Sequence, residues 1–358
     1  MRVVFIVNNL SVGGVQRIIL DDCIEMQRLG HDVCVITLEK EISGNTLNLP
    51  SGIVHQLVLV KRTIDIHGFF GLFQALRKIK PHMVVTHMWL ANNVGRVAAY
   101  FARVATILSF EHSIYDGLKT RKQFIIDWLL QSISTNVVAV SWSVKKSLLR
   151  HGIRDKNILV LHNAIDAKRF NTEFSPKYTR KDFGIPENSF IIISVGRLHK
   201  VKRIDETIRA VASISNCFLL IVGDGVEQNK LEAEAQKLLI REQVKFLGNR
   251  SDVEQLLRLA DCLVLASSDR EGFGLVILEA MACGVPVITS NFDAAREIIT
   301  EGSNGLIFSS ENELREMIKS VKNDNFLRNK LVTTGLEDVK KYNIIEHARQ
   351  LLSLYKNS

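Results

Sequence analysis

Two glutamates eight positions apart frame the most apolar stretch of the C-terminal half, EGFGLVILE, which runs from Glu271 to Glu279. On one continuous helix the two carboxylates would point about 80° apart. Gly272 and Gly274 also weaken a helix and suit tight turns. We therefore predict a loop at Glu271, a helix that begins near Gly274, and Glu279 in its second turn. Both carboxylates would then reach a ligand at the helix N-terminus.

A second set of residues that could bind an anion lies in SVGRLHKVKR (194–203), directly after a strand-like run. Arg197 and Lys202 could clamp a diphosphate, the first as a planar fork and the second as a point charge. Taken alone, the segment is more simply explained as two surface cations. Whether this segment binds an anion depends on which residues lie beside it in the fold.

Two more glycine turns follow strand-like runs. In SVGGVQR (11–17), Gly13 and Gly14 allow an anion to approach the backbone where a helix begins, although a plain tight turn explains the pair equally well. In VGDGVEQ (222–228) we expect the glycines to be structural.

These turns do not complete the motifs of other nucleotide-binding proteins. Gln228 and Ile277 stand where GxGxxG has its last glycine, which argues against a nicotinamide-dependent dehydrogenase. The sequence has no Walker motif and no two aspartates two positions apart. We therefore expect no metal and no cofactor. Charge on a leaving diphosphate would be met by Arg197, Lys202 and helix-terminal amides.

The elements that must position these residues alternate along the chain. Strand-like runs lie at 3–7, 33–37, 83–87, 106–110, 136–140 and 158–162, and then at 190–196, 217–223, 243–248, 262–267 and 285–290. Near-continuous apolar strands separated by helices indicate parallel sheets covered on both faces. Two such series predict two doubly wound α/β domains, with a break near 163–188.

Composition fits a soluble protein of that kind. The 358 residues are 46% hydrophobic, and no apolar run approaches the roughly 18 residues that cross a bilayer. The first residues predict a strand and are too short an apolar run for a signal peptide. Five scattered cysteines without metal spacing are expected to be reduced in a cytoplasmic protein.

The excess positive charge lies wholly in the first half. Residues 1–165 carry 19 Lys and Arg against 11 Asp and Glu, whereas residues 166–358 carry 27 of each, so the net charge of +8 belongs to the first half. Much of it clusters between Lys119 and Lys156. One interpretation is a solvated basic surface, and the other is contact with an anionic membrane or acceptor. No aromatic-rich basic stripe accompanies the charge, which disfavours nucleic acid.

Taken together, these motifs resemble those of glycosyltransferase family 4, whose members are retaining, nucleotide-sugar-dependent enzymes of the GT-B fold. The matching segments are GG at 13–14, NAID…F at 163–170, GRL…K at 196–202, GDG…L at 223–231, FLG at 246–248 and the E-x7-E element at 271–279. The resemblance runs nearly end to end. Ala164 and Arg203 depart from it, because glycine is usual at both places.

The resemblance implies two Rossmann-like domains that face each other across a cleft. The acceptor-side domain would comprise residues 1–165, together with a C-terminal helix at about 342–358 that packs back on it. The nucleotide-sugar domain would comprise residues 166–341.

The resemblance also implies roles for single residues. Arg197 and Lys202 would bind the donor diphosphate, Glu271 the hydroxyls of the transferred sugar, and Glu279 the ribose. His112 would lie near the sugar. The other implied donor-binding positions are Gly13 and Gly14 of the first domain, the amides of Gly274, Leu275 and Val276 for phosphate oxygens, and Asn249 and Arg250 near the base.

The implied reaction moves a sugar from a nucleotide diphosphate to an acceptor hydroxyl with retention at the anomeric carbon, and UDP-sugars are the commonest family donors. With the basic first domain, this leads to the hypothesis of a peripheral enzyme on the inner face of a bacterial membrane. Its acceptor would be a lipid-linked or lipopolysaccharide-like glycan, with a soluble acceptor left open. A nucleotide-sugar epimerase or glycan phosphorylase of the same fold, and a catalytically silent nucleotide-binding protein, are the alternatives.

Overall fold

The computed structural model describes residues 1–40, 46–115, 119–170 and 177–355. The chain forms two compact units, residues 1–164 with the C-terminal segment from Ile344, and residues 165–343. The end of the predicted C-terminal helix (356–358) and part of the predicted break (171–176) lie outside the described residues.

The first unit is built on a seven-stranded parallel sheet in the order β3-β2-β1-β4-β5-β6-β7. Its strands are β1 (Arg2–Val7), β2 (Asp32–Thr37), β3 (Val54–Leu57), β4 (Met83–His87), β5 (Thr106–Glu111), β6 (Asn136–Ala139) and β7 (Ile158–Val160). Its helices are α1 (Gly14–Arg28), α2 (Ile66–Ile79), α3 (Trp89–Phe101), α4 (Arg121–Leu130), α5 (Trp142–Arg150) and, from the C-terminal end of the chain, α12 (Ile344–Ser353).

The second unit is built on a six-stranded parallel sheet in the order β10-β9-β8-β11-β12-β13. Its strands are β8 (Phe190–Val195), β9 (Cys217–Val222), β10 (Val244–Phe246), β11 (Cys262–Leu265), β12 (Val287–Ser290) and β13 (Leu306–Phe308). Its helices are α6 (Ile204–Ala212), α7 (Gln228–Lys237), α8 (Val253–Leu257), α9 (Leu275–Ala282), α10 (Glu311–Asn323) and α11 (Asn325–Asp338).

The strands that lead to the candidate site are apolar on both faces because helices cover both sides of each sheet. In β1 the residues from Val3 to Val7 are fully buried, and in β8 those from Ile191 to Ile193 are. This pattern is typical of doubly wound parallel sheets. The predicted α/β class with two such sheets is confirmed.

Each sheet reverses its winding direction at one point, between β1 and β4 in the first unit and between β8 and β11 in the second. Loops that leave the carboxyl ends of two such strands diverge to opposite faces, and ligands of doubly wound proteins bind in the resulting crevice. We therefore expect a ligand of either unit to bind at its winding reversal.

The C-terminal helix packs on the first helix of the first unit. His347 of α12 and Asp22 of α1 are both buried, and His347 Nδ1 lies 2.8 Å from Asp22 Oδ1. Ala348 and Leu351 are fully buried. A buried polar pair surrounded by apolar contacts fixes the position of α12 on α1.

The predicted basic surface between Lys119 and Lys156 is wrong for Lys119. Its side chain is only 5% exposed, and its Nζ donates to Asp127 Oδ2 at 2.8 Å and to Glu111 Oε2 at 3.4 Å. The buried guanidinium of Arg96 also bonds to Asp127, at 3.1 Å. Buried carboxylates require paired cations, so this lysine serves the interior instead of the surface.

Candidate active site

Two of the predicted donor-binding side chains meet above the ends of β8 and β11. Lys202 Nζ donates to Glu271 Oε2 at 2.5 Å, and Ser267 Oγ donates to the same oxygen at 3.0 Å. The side chains of Lys202 and Glu271 are 20% and 17% exposed. The sheet topology thus brings a lysine and a glutamate from two distant motifs to the winding reversal of the second unit.

Glu271 is held as a carboxylate. Burial alone would raise its pKa, but the charge and hydrogen bond of Lys202, the hydrogen bond of Ser267 and the charge of Arg197 together lower it. An acid with a lowered pKa does not supply a proton at neutral pH. Glu271 is therefore suited to accept hydrogen bonds from sugar hydroxyls.

The loop that carries Arg197 is braced by the glycine turn after β9. The Gly196 amide donates to Val222 O at 2.9 Å, and the Leu198 amide donates to Asp224 O at 2.8 Å. A Cβ on Gly223 would lie 2.0 Å from Gly196 O, closer than any side chain allows. The predicted structural role of these glycines is confirmed, and the bracing leaves the Arg197 side chain exposed at the end of β8.

Helix α9 begins at Leu275, and Glu279 lies in its second turn, as predicted from the spacing of the two glutamates. Gly274 precedes the helix with φ +88°, a left-handed conformation that favours glycine. No side chain caps the helix. The amides of Leu275 and Val276 are thus positioned at the positive end of the helix dipole, where phosphate oxygens bind well.

Arg203 is a residue of this site that sequence reasoning noticed only as a departure from the family pattern. Its φ of +42° lies in the left-handed region, which explains why glycine is usual there. Its guanidinium donates to Ala266 O and Ser267 O, both at 3.1 Å. Arg203 therefore holds the segment after β11 that presents Ser267 to Glu271. Ala164, the other departure, does not have a positive φ.

Arg250 is engaged elsewhere in the second unit. Its guanidinium makes two hydrogen bonds to Asp252, at 2.8 and 2.9 Å, and one to the Tyr178 hydroxyl at 2.6 Å. The hydrogen bond from Arg250 holds the pKa of Asp252 well below its usual range. Asn249 is exposed beside it. The described contacts of Arg250 do not join it to Glu271 or Lys202, so its predicted role near the base stays a prediction.

The glycine pair of the first unit lies where β1 leads into α1. Gly13 is the N-cap of α1, has an extended backbone and offers no side-chain cap, and Gly14 is the first residue of the helix. A Cβ on Gly13 would come within 2.7 Å of Gln16 Oε1, an atom that can move aside. The local backbone does not require glycine at position 13, and the predicted role of Gly13 and Gly14 in donor binding stays a prediction.

His112 follows β5 and pairs with His87 at the end of β4. His87 Nδ1 lies 2.9 Å from His112 Nε2, and the two rings stack with their centroids 5.2 Å apart. Burial lowers the pKa of His112 to about 4, and burial also lowers the pKa of His87. Both imidazoles are therefore neutral at neutral pH. Within the described residues, His112 Nδ1 has no hydrogen-bond partner.

The described part of the chain holds neither a candidate metal site nor a membrane-spanning helix. Residues 1–40, 46–115, 119–170 and 177–355 contain no group of three or more His, Cys, Asp or Glu side chains placed to hold a metal ion. The same residues contain no helix that is both long and apolar enough to span a bilayer.

Two family models match the chain over nearly all of its length. Residues 12–169 match the model described as "Glycosyltransferase Family 4", and residues 177–338 match the model described as "Glycosyl transferases group 1". The two matches divide between the two compact units.

Three curated relatives show how far the similarity extends. An uncharacterized glycosyltransferase of Methanocaldococcus jannaschii is 30% identical over 353 residues, 92% of this chain and 90% of that protein. The UDP-Gal:alpha-D-GlcNAc-diphosphoundecaprenol alpha-1,3-galactosyltransferase of Escherichia coli is 25% identical over 81% of this chain and 79% of its own. The N-acetyl-alpha-D-glucosaminyl L-malate synthase of Bacillus anthracis is 36% identical, but the match spans only 48% of this chain and 45% of that protein.

Solved structures share the fold across both units. HepE of Anabaena, crystallised with UDP and glucose, matches with a TM-score of 0.86 over 99% of this chain and 98% of that chain. The sequence identity is 21%, so this likeness concerns the fold alone.

Proposed function

The chain belongs to glycosyltransferase family 4 and has the GT-B fold, and from that membership we propose that it transfers a sugar from a UDP-sugar to an acceptor hydroxyl with retention at the anomeric carbon. The observation that carries the proposal is the meeting of Lys202 and Glu271 where the second sheet reverses its winding. Lys202 can then bind the diphosphate while Glu271, beside it, binds the sugar, because these two parts of a nucleotide sugar are adjacent.

The diphosphate is bound by charge and by backbone amides. Arg197, exposed on its braced loop, and Lys202 neutralise the two phosphates, while the uncapped amides of Gly274, Leu275 and Val276 donate to phosphate oxygens. These groups stabilise the diphosphate as it leaves, so we propose that the reaction needs no metal ion.

The two glutamates fix the remaining parts of the donor. Glu279, in the second turn of α9, accepts hydrogen bonds from the ribose hydroxyls, and Glu271 accepts them from the transferred sugar. Asn249 and Arg250 lie near the base. On the first unit, Gly13 and Gly14 admit the donor to the N-terminus of α1, and His112 contacts the sugar.

Retention is proposed to follow from attack on the same face that the diphosphate leaves. The acceptor oxygen bonds to the anomeric carbon as the carbon–phosphate oxygen bond breaks, and the acceptor proton passes to the departing phosphate oxygen. Glu271 is already a carboxylate paired with Lys202, so it orients the sugar and does not serve as the acid.

The acceptor is proposed to be a lipid-linked glycan of bacterial cell-surface polysaccharide or lipopolysaccharide synthesis, which places the enzyme at the inner face of the membrane. Two observations support this. The Escherichia coli relative is named for a diphosphoundecaprenol-linked acceptor, and the whole net charge of +8 lies in residues 1–165.

A ligand screen followed by a transfer assay tests the proposal. UDP should raise the melting temperature, whereas GDP and ADP should not, because a ligand that prefers the native state stabilises it by about 2.7 kcal/mol at a hundredfold excess over its Kd. Radiolabelled UDP-sugar should then label a lipid-linked acceptor in the presence of EDTA. Stabilisation by GDP or ADP alone, or transfer that EDTA abolishes, would refute the corresponding part of the proposal.

Two variants separate transfer from other activities. Glu271→Ala and Arg197→Ala should each abolish transfer without unfolding the protein. Epimerisation or phosphate-dependent cleavage of the donor or glycan without transfer would assign the fold to one of the alternative activities instead.

A further inference from the structure

Helix α4 of the first unit has apolar residues on its outer face as well as half-buried ones on its inner side. Of its ten residues only Asp127 is buried. Ile125, Trp128 and Leu129 are 57%, 46% and 55% exposed. Amphipathic surface helices of globular proteins confine their apolar residues to the side that faces the core, so the exposed apolar face of α4 departs from that pattern.

Buried ion pairs attach α4 to its unit, together with the stacking of Phe124 on His151, whose ring centroids are 3.6 Å apart. Asp127 projects inward and bonds to Arg96 at 3.1 Å and to Lys119 at 2.8 Å, and both cations are buried. The N-terminus is fixed by a capping box, in which Thr120 and Gln123 each bond to the other's backbone amide. The helix can therefore keep its position while its apolar face remains open to a partner.

The apolar residues share one face with a basic residue. Positions 121, 125, 128 and 129 follow the spacing of a single helical stripe, and position 122 flanks it. Arg121 and Lys122 are both exposed, so cations border the apolar face at the N-terminal end of the helix.

Further cations border the C-terminal end. The turn after α5 lies against the end of α4, since the Arg154 amide donates to Gln131 Oε1 at 2.8 Å and Asn157 Nδ2 donates to the same oxygen at 3.1 Å. Arg154 and Lys156 of this turn are exposed. The neighbouring acid, Asp155, is paired with Lys145 at 2.7 Å. The apolar face is thus framed by positive charge at both ends.

We propose that this face of α4 docks on an anionic lipid bilayer. Ile125, Trp128 and Leu129 enter the interface between headgroups and acyl chains, where tryptophan is favoured. Arg121, Lys122, Arg154 and Lys156 lie over anionic headgroups, which attract basic side chains near the surface. The basic frame selects this occupant over a second copy of the chain, because two copies would bring like charges together.

The docking face of α4 gives the proposed membrane association a specific surface. It rests on the proposed function only in that the proposed lipid-linked acceptor gives a reason for the protein to bind a membrane. The geometry of α4 does not depend on what the second unit binds. A failure of vesicle binding with intact UDP binding would therefore contradict this surface alone, and the reverse result would contradict the proposed donor alone.

Vesicle flotation tests the proposal. The wild type should float with vesicles of phosphatidylglycerol and phosphatidylcholine at low salt and should not float with pure phosphatidylcholine. The variant Ile125→Ser/Trp128→Ser/Leu129→Ser should bind anionic vesicles at least about tenfold more weakly, because most of the inserted apolar area is removed. The matched control Val226→Ser/Phe326→Ser, which changes residues 84% and 82% exposed on the second unit, should bind as the wild type does.

A charge variant guards against a folding artefact. Arg121→Glu/Lys122→Glu places acids in the first turn of α4, where they favour the helix, yet it should also abolish flotation. Melting temperature and UDP affinity should be unchanged in every variant. Equal flotation of the apolar variant and wild type would overturn the proposal, as would a wild-type dimer in sedimentation that the apolar variant dissociates.

Discussion

Lys202 Nζ lies 2.5 Å from Glu271 Oε2 although the two residues are 69 positions apart in the chain. The contact exists because β8 and β11 are neighbours in the sheet while β9 and β10 lie on the other side of β8. Each side chain neutralises the other in a partly shielded place. In the proposed function the two tasks of donor binding are separate, because Lys202 binds the diphosphate and Glu271 binds the sugar.

That separation predicts opposite effects on two ligands for Glu271→Gln. Affinity for the UDP-sugar should fall by about 10–100-fold, the loss of a hydrogen bond to a charged group of about 1.5–3 kcal/mol. Affinity for UDP should be equal or tighter, because Lys202 loses a competing anion. Calorimetric titration of both ligands measures the ratio. An equal loss for UDP and the UDP-sugar would place Glu271 at the nucleotide instead.

The brace beneath Arg197 predicts a sharp difference between glycines. In Gly223→Ala the new Cβ would overlap Gly196 O at 2.0 Å, and φ is +134°, so the free energy of unfolding should fall by more than about 2 kcal/mol. Gly302→Ala has φ +69° and open space around it, so it should lose only about 1–2 kcal/mol. Urea unfolding gives both values, and equal losses would show that the close approach to Gly196 does not matter.

Two substitutions of Arg203 should separate the effect of its backbone conformation from the effect of its side-chain hydrogen bonds. Arg203→Gly relieves the positive φ but removes both bonds to the carbonyls after β11, whereas Arg203→Ala removes the bonds and keeps the strain. The glycine variant should therefore be more stable than the alanine variant by about 1 kcal/mol. Both should raise the KM for the UDP-sugar, because Ser267 and Glu271 lose their support. Wild-type KM values in both would limit Arg203 to a stability role.

The His87–His112 pair predicts acid sensitivity of the first unit. The folded pKa of His112, about 4, lies below the ordinary value of about 6.5, so the native state binds fewer protons than the unfolded state in this window. The free energy of unfolding should therefore fall as pH drops from about 6.5 toward 4, by up to about 1.4 kcal/mol per pH unit for each such histidine.

Comparison of two histidine variants isolates this effect. Urea unfolding at pH 5, 6 and 7 should give a shallower slope for His112→Gln than for the wild type. The control His67→Gln, which changes an exposed histidine of α2, should keep the wild-type slope. Identical slopes in all three proteins would contradict the neutral pair.

The sequence predicted the sheets well because buried parallel strands are continuous apolar runs. It missed β3, whose four residues are all exposed, and it also missed β13 (Leu306–Phe308). The placement of α9 and Glu279 followed from helical periodicity and two glycines. These features are determined by residues close together in the sequence, so the sequence pattern alone predicts them.

The remaining features depend on which strands become neighbours. The contact of Lys202 with Glu271 needs the strand order, and the inward turn of Asp127 needs partners from α3 and from Lys119. The number of basic residues between Lys119 and Lys156 predicted that Lys119 lies on the surface, because the sequence does not show that Glu111 and Asp127 are its neighbours. The left-handed backbone of Arg203 was indicated in the sequence, because an arginine stands where glycine is usual. Nothing in the sequence indicated which two carbonyl groups its side chain contacts.

Calorimetric titration with UDP of the wild type, Arg197→Ala and Lys200→Ala tests the central claim, that the loop after β8 binds the donor diphosphate. Arg197→Ala should weaken UDP binding by about 10–100-fold, because a charge-assisted hydrogen bond to phosphate is lost. Lys200→Ala, which removes an exposed cation of the same loop, should change the affinity less than about threefold. UDP affinities that are equal in the wild type and Arg197→Ala would contradict the account.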